Sequence, residues 1–169
     1  MMRVCSPMCG LTWGRMVNER KAKKEHARDR RETREKLVKM KGRGYWMARA
    51  QKAFNLFIRT RDYGQPCISS SRQMDWTGNG VDAGHYRSRG SAPHLRFDER
   101  NCHAQSKQEN RYASGNVTGY RLGLIARIGL TAVEALECDQ TPAKWSIDDL
   151  KAIEVRYLAK TKELKARMA

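Results

Sequence analysis

The sequence predicts a mainly helical α+β protein, in which a small β-hairpin finger is packed between amphipathic helices and a long basic helical arm precedes them. Three observations support this fold class. Apolar residues recur at helical spacing on both sides of the middle of the chain, the middle is rich in turn-forming residues, and positive charge is concentrated near the N-terminus. With 34 Lys or Arg against 18 Asp or Glu, the formal net charge is +16, which is typical of proteins that bind phosphate-rich partners.

The N-terminal residues contain no apolar run long enough for a signal peptide or a membrane span. We therefore expect a cytoplasmic protein that does not enter a membrane. The chain has five cysteines, and in the absence of a secretory context these are expected to be reduced thiols and not a disulfide framework.

Residues 15–43 form the predicted arm, with thirteen Lys or Arg against five Asp or Glu, which accounts for half of the net charge. Good helix formers dominate, and opposite charges lie three or four residues apart, as at Arg28 and Glu32. Such a solvated helix either keeps the protein soluble or binds DNA phosphates without sequence preference, in which case binding falls steeply with salt. The arginines that we assign to DNA contacts are Arg28, Arg30, Arg31 and Arg34.

The globular part, residues 44–169, follows a glycine hinge at residues 42–44 and opens with an amphipathic helix from about Tyr45 to Arg61. Its apolar face consists of Trp46, Ala50, Ala53, Phe54, Phe57 and Ile58. We interpret this face as part of a core, although stacking of its aromatic rings on bases is the alternative.

Two helical regions are predicted near the C-terminus. The first carries the apolar stripe Tyr120, Leu124, Ile125, Ile128 and Leu136 and is expected to bend near Gly129. The last helix runs from about Ile147 to Arg167, and Ser146 with Asp149 three residues later resembles a capping box at its start.

Between the helices, residues 82–116 concentrate the residues that are able to perform phosphodiester chemistry. Asn79-Gly80 is a signal for a tight hairpin turn, and it predicts that His85 lies near the end of the returning strand. Leu95 and Phe97 give a short alternating segment. A compact helix is predicted from about Lys107 to Ala113, stopped at residues 114–116.

A β-hairpin followed by a short helix is the layout of a ββα-metal nuclease finger. His85 suits the role of general base because an imidazole can accept a proton from water near neutral pH. Asp82 and Asn110 offer the oxygen ligands that magnesium prefers, and Asn101 is positioned to hold the strand of His85 by hydrogen bonds. Nearby arginines either grip phosphates around the cut site or provide simple surface charge: Arg87, Arg89, Arg96 and Arg100.

A series of short motifs resembles the NinG family of lambda-type phages, also called Rap. In order, these are Arg61-Asp62, Pro66-Cys67-Ile68-Ser69, Asp82-Ala83-Gly84-His85-Tyr86-Arg87, Ala92-Pro93-His94-Leu95-Arg96-Phe97, Glu99-Arg100-Asn101, His103-Ala104-Gln105 and Ser114-Gly115-Asn116. The resemblance runs from about Tyr45 to Lys165. It implies a recombination endonuclease of the bacterial host cell that cuts branched DNA such as Holliday junctions and D-loops, with a zinc-braced treble-clef, HNH-like finger at residues 63–118.

The sequence departs from the family in its zinc ligands. The family pattern has two Cys-x-x-Cys knuckles, here Cys67-Ile68-Ser69-Ser70 and Ser106-Lys107-Gln108-Glu109, so three of the four thiolates are replaced. Structural zinc requires Cys or His ligands, which excludes the standard four-cysteine site. An improvised zinc site would have to use Cys67, Cys102, His103 and Glu109. Without zinc, the finger would be held by its flanking helices alone.

Residues 1–14 include Cys5-Ser6-Pro7-Met8-Cys9, which resembles the second half of an N-terminal zinc finger of the same family. Either another chain supplies the missing ligands, or this segment is a remnant with two idle thiols at a truncated start.

Two functions of different classes remain open at this stage. One is a metal-dependent structure-selective DNA endonuclease that uses magnesium or another divalent cation together with His85, Asp82, Asn110 and Asn101. The other is a non-catalytic branched-DNA-binding protein with a decayed finger and a working basic arm. In both, branched DNA is the main partner and phage or host recombination proteins are candidate partners. A homodimer would suit the two-fold symmetry of a four-way junction.

Overall fold

The computed structural model describes residues 6–168, and its chain divides into two units with a boundary between Gly42 and Arg43. The first unit holds helix α1 (Pro7–Lys39). The second holds, in order, α2 (Arg43–Arg61), β1 (Val81–His85), β2 (Cys102–Ser106), α3 (Val117–Ile128), α4 (Leu130–Cys138) and α5 (Ile147–Met168). The predicted class, a mainly helical α+β protein, is confirmed.

Helix α1 is the predicted arm. It is 33 residues long and buries none of them, because its sequence has no apolar stripe that could pack against a core. Ser6 caps its start by accepting a hydrogen bond from Cys9 N at 3.2 Å. Along the helix, Arg28 and Glu32 approach to 3.7 Å as their spacing predicted.

The predicted segment boundary at residue 14 falls inside α1, which runs without a break from Pro7 to Lys39. Cys9 is exposed in the first turn of this helix. Cys5 lies outside the described residues, so the zinc-finger remnant proposed for residues 1–14 stays a prediction.

The main core forms where α2 packs against α5, as the apolar spacing of both helices predicted. The ring of Phe54 lies 4.9 Å from that of Tyr157 and 5.7 Å from that of Phe97. Outside the core, Arg49 and Glu154 pair at 2.6 Å across the same two helices. The capping box is also present, since Asp149 N donates to Ser146 Oγ and Ser146 N donates back to the Asp149 carboxylate.

The only sheet in residues 6–168 is the antiparallel pair of β1 and β2, with Asp82 opposite Gln105 and His85 opposite Cys102. The hairpin predicted around Asn79-Gly80 is therefore wrong, although His85 does end its strand. The Asp75 side chain accepts hydrogen bonds from Thr77 and closes a local turn instead. A tight-turn signal in the sequence predicts only the local backbone. It does not predict which strand pairs with β1, because that depends on how both strands are buried against the helices.

The alternating segment predicted at Leu95 and Phe97 is instead the 3-10 helix Pro93–Phe97, which Pro93 starts. Leu95 enters a second core with Tyr120, whereas Phe97 enters the main core with Phe54. The alternation in the sequence therefore reflects two cores on opposite sides of one helical turn.

The predicted bend at Gly129 is confirmed, because this residue has a φ of +85° and separates α3 from α4. Before α3, the predicted short helix is a π-helical turn over Gln108–Tyr112, followed by positive φ values at residues 114–116. Within residues 6–168, no helix is both long and apolar enough to span a membrane.

Gly123 allows α3 to lie directly against the 67–70 segment. A Cβ atom at Gly123 would sit 1.9 Å from the carbonyl oxygen of Ile68, which is backbone and has no rotamer to adopt. We expect Gly123→Ala to destabilise the protein by about 1–3 kcal/mol, even though alanine favours helix formation. Gly44→Ala, where the added Cβ meets nothing within 4 Å, is the control. Equal thermal unfolding midpoints for the two variants would contradict this packing.

Candidate functional site

A cavity of about 510 Å³ opens beside β1 and the π-helical turn. Its lining includes Asp82, His85, Ser88, Arg89, Asn110 and Arg111. The structure therefore brings together the predicted base and both predicted metal ligands. It does so because β1 supplies Asp82 and His85, while the turn that follows β2 supplies Asn110.

Asp82 is held at the cavity wall by two neighbours from the π-helical turn. Asn110 Nδ2 donates to Asp82 Oδ2 at 3.1 Å, and Arg111 Nε donates to the same oxygen at 2.8 Å. Burial alone would raise the pKa of Asp82, but these donors keep it below its ordinary value. The carboxylate is therefore ionised at neutral pH. Sequence reasoning missed Arg111, although it directly follows Asn110.

The donors at Asp82 and Asn110 fit a hydrated magnesium ion better than zinc. They are a carboxylate and an amide, both hard oxygen ligands, and magnesium commonly keeps several waters beside one or two protein ligands. Arg111 competes for the same carboxylate, so its guanidinium is the group that a cation would have to displace.

The imidazole of His85 is engaged at both nitrogens. Its Nε2 donates to the carbonyl oxygen of Arg96 at 2.9 Å, and its Nδ1 lies 3.7 Å from the sulfur of Cys102. Burial raises the pKa of the Cys102 thiol, so the thiol keeps its proton and can donate it to Nδ1. Burial also lowers the pKa of His85 to about 4, with Arg89 and Arg96 adding to the effect. In this arrangement the ring is neutral, and its lone pair faces a thiol.

Asn101 braces the backbone on both sides of His85. Its side chain is buried, accepts from Arg87 N at 2.8 Å, and donates to the carbonyl oxygens of Arg87 and Leu95 at 3.0 and 3.2 Å. Arg87 lies two residues after His85. Leu95 directly precedes Arg96, whose carbonyl oxygen accepts the hydrogen bond from His85 Nε2. Asn101 thus holds the backbone next to His85 by hydrogen bonds and does not line the cavity itself.

The four residues considered for an improvised zinc site lie in different surroundings. Cys102 faces His85, whereas His103 faces Asp62 on the other side of β2. Glu109 accepts from Asn116 Nδ2 at 2.8 Å. Across residues 6–168, no cluster of three or more His, Cys, Asp or Glu is arranged to hold a metal ion.

Hydrogen bonds join the two knuckle segments instead. Cys67 Sγ accepts from Ser106 N at 3.3 Å and lies 3.5 Å from Ser69 Oγ. Gln105 Nε2 donates both to Ser69 Oγ and to the carbonyl oxygen of Gly115, at 2.9 and 2.7 Å. Burial alone would raise the pKa of Cys67, but these polar neighbours lower it to about 7. We call these contacts the knuckle network.

A buried charge cluster lies behind β2. Asp62 Oδ2 accepts from Ala104 N at 2.8 Å and lies 3.4 Å from both His103 Nδ1 and Arg127 Nη1. Arg61 Nη2 donates to the carbonyl oxygen of Cys102 at 2.9 Å. From the sequence, Arg61-Asp62 was identified only as one of the family's motifs. Its contacts with His103, Ala104 and Arg127 were not predicted.

The arginines assigned to DNA have different environments. Arg28, Arg30, Arg31 and Arg34 are exposed on α1. Arg89 is exposed at the cavity, whereas Arg96 donates to Gln51 at 3.1 Å and Arg100 pairs with Asp98 at 2.7 Å. Arg87 donates to three backbone carbonyls at the C-terminal end of α4, so its charge is used within the fold.

Comparison with known proteins identifies the relatives of this chain. The family described as "Bacteriophage Lambda NinG protein" matches residues 1–167. The proteins named ninG of Salmonella phage P22 and Escherichia phage lambda are each 41% identical over 177 residues, covering 95% of this chain and 83% of theirs. The ninG protein of Escherichia phage 933W is 44% identical over 128 residues, which is 75% of this chain and 61% of that protein. No solved structure matches the chain.

Burial of His85 makes the stability of the fold depend on pH in a defined direction. Its folded pKa of about 4 lies below the ordinary value of about 6.5, so between these pH values the unfolded chain binds more protons. Stability is therefore expected to fall as the pH is lowered from about 6.5 to about 4. His85→Asn should flatten this dependence in urea unfolding, whereas His26→Asn, on exposed α1, should retain it. Equal slopes for His85→Asn and the parent would contradict the buried ring.

We expect the knuckle network to hold the finger without zinc. A chelator should leave the thermal midpoint of the parent unchanged. The reason is that hydrogen bonds, and not a zinc ion bound by thiolates, connect the two knuckle segments. The triple variant Ser70→Cys, Ser106→Cys and Glu109→Cys restores four sulfur ligands, so it should bind zinc and lose stability when the metal is removed. Elemental analysis by mass spectrometry gives the metal content. A stoichiometric zinc in the parent that Cys67→Ser releases would contradict the expectation.

Proposed function

Because the chain belongs to the NinG family of lambda-type phages, we propose that it is a metal-dependent endonuclease that cuts branched DNA, such as Holliday junctions and D-loops, during phage recombination. The observation that carries this proposal is the convergence of Asp82, Asn110 and His85 on one cavity, with Arg89 and Arg111 at its wall. Carboxylate, amide, imidazole and guanidinium groups together are the side chains that phosphodiester hydrolysis uses.

The proposed reaction is the hydrolysis of one phosphodiester bond. Water attacks the phosphorus, the bond to one sugar oxygen breaks, His85 accepts the proton of the water, and solvent supplies a proton to the departing oxygen. For this, the His85 ring must leave the Arg96 carbonyl and carry its proton on Nδ1, so that the lone pair of Nε2 can face the water. Arg89 lies where it can bind a phosphate oxygen.

A divalent cation held by Asp82 and Asn110 would neutralise negative charge that develops on the phosphate. Those two residues come from β1 and the π-helical turn, which we propose form an HNH-like finger together with β2. In this proposal the knuckle network replaces the zinc of the treble-clef core.

The arm supplies affinity in the same proposal. Exposed cations on α1 would bind phosphates of the DNA backbone and hold the protein on DNA of any sequence. In this proposal the globular unit supplies the selectivity for branches, because the phosphates that α1 would bind are present on every duplex.

A non-catalytic branched-DNA-binding protein is the second candidate, and two observations favour it. Both nitrogens of His85 are engaged by Arg96 and Cys102, and Arg111 already neutralises Asp82. A finger with these pairings could serve as a scaffold while the basic residues bind DNA.

Cleavage of a labelled four-way junction in magnesium separates the two candidates. We expect the parent to cut, and we expect His85→Ala to lower the single-turnover rate by about 100-fold or more, because a general base contributes roughly that factor. Asp82→Asn should also lower the rate strongly, because it removes the charged ligand of the cation. His26→Ala removes an exposed histidine outside the cavity and should cut like the parent. Gel shifts in calcium should give similar affinities for all four proteins.

Each other outcome also decides the question. Binding without cutting by the parent would leave the scaffold function and remove the nuclease. Cutting by His85→Ala at the parent rate would remove His85 as the base. Circular dichroism of each variant shows whether a lost rate reflects a lost fold.

A further inference from the structure

A second cavity, of about 440 Å³, lies at the C-terminal end of α2. It is lined by aromatic and apolar side chains and by two cations. Its lining includes Leu56, Arg59, Tyr63, Trp76, Val81 and Lys165. The side chains come from α2, the loop before β1, and the C-terminal part of α5. We call it the aromatic pocket.

The two rings of the aromatic pocket pack against each other, and the Tyr63 ring stays largely open to solvent. Their centroids lie 5.2 Å apart at an interplanar angle of 58°, and Tyr63 keeps 57% of its surface exposed. A tyrosine that served only the core would be buried, like Tyr120 and Tyr157. The exposed ring of Tyr63 favours a planar ligand that stacks on it.

The charge at the rim of the aromatic pocket fits a polyanion. Arg59 and Lys165 both line it, and neither has a carboxylate within ion-pair distance in residues 6–168. Aromatic faces flanked by unpaired cations are the arrangement with which proteins hold single-stranded nucleic acid, since bases stack on rings while phosphates contact the cations.

An intermediate cavity of about 500 Å³ adjoins both the aromatic pocket and the candidate site. It shares Arg59 with the aromatic pocket. It shares Asp82, Ala83 and Arg89 with the candidate site. Arg59 is therefore placed to contact a strand that extends from the aromatic pocket toward the candidate site.

We infer that the aromatic pocket binds an unpaired base of a DNA single strand whose backbone contacts Arg59 and extends toward the candidate site. The inference rests on the proposed function, and it names the structural element of branched DNA that the globular unit recognises. A base within a duplex offers only its edges, so it cannot stack on Tyr63. Bases at a branch point or in the displaced strand of a D-loop have a free face.

Fluorescence anisotropy with two labelled DNAs tests this inference. One is a duplex, and the other is the same duplex with an unpaired tail of about ten thymidines, a length within the range that single-stranded sites cover. We expect Tyr63→Ala to weaken binding of the tailed DNA by about fivefold or more and to leave binding of the plain duplex unchanged. Tyr63→Phe keeps the ring and should bind the tailed DNA like the parent.

Two lysines on α5 provide a test variant and a matched control for the rim of the aromatic pocket. Lys165→Ala should weaken binding of the tailed DNA, whereas Lys162→Ala removes the same charge from an exposed position outside the aromatic pocket and should have no selective effect. Thermal midpoints equal to that of the parent show that each variant is folded.

The outcomes separate this inference from the proposed function. If the parent binds tailed DNA and Tyr63→Ala binds it equally well, the aromatic pocket is not a base-binding site, while the nuclease proposal stands. If Tyr63→Ala weakens both DNAs alike, the effect is not on unpaired bases and the inference is also overturned. If the parent binds neither DNA, the proposed function and the inference both fail.

Discussion

The carboxylate of Asp62 is the point at which three elements of the globular unit are joined. It follows the last residue of α2, accepts the backbone N–H of Ala104 in β2, and lies within ion-pair distance of Arg127 from α3. A buried carboxylate is costly unless donors surround it, and here a guanidinium on each side and a strand amide do so. Burial alone would raise the pKa of Asp62, and these donors instead hold it well below its ordinary value.

This junction determines where the candidate site can form. A two-stranded sheet is only marginally stable by itself, so β1 and β2 depend on what holds β2 in place. Asp62 attaches β2 to α2, pairing with β2 places β1, and Tyr120 ties both strands to α3 through Gly84 O and His103 N. Asp82 and His85 therefore reach their cavity through a chain of contacts that begins at a residue outside it.

The sequence predicted the features that depend on local pattern. Apolar spacing identified α2 and α5 to within two residues, Gly129 marked a break because its positive φ suits glycine, and Ser146 with Asp149 marked a cap. What these features have in common is that neighbours within a few residues determine the outcome. Asp82, His85 and Asn110 were assigned to one site from the layout of a nuclease finger, and all three line the same cavity.

Features that depend on distant partners were not predictable in the same way. The partner of β1 begins 21 positions after Val81, and the contact of Asp82 with Arg111 spans 29 residues. The packing of Leu95 and Phe97 into separate cores likewise requires knowledge of both cores. Arg87 was assigned to DNA by its charge, yet the carbonyls that it contacts lie about fifty residues further along the chain.

Helix α1 also sets a length scale. At about 1.5 Å per residue, its 33 residues extend for about 50 Å. Base pairs in B-DNA are spaced by about 3.4 Å, so a straight helix of this size matches some fifteen of them, or about one and a half turns of the duplex. If its cations bind the phosphates of one duplex limb, limbs shorter than this length would leave part of the charge of α1 without phosphates to contact.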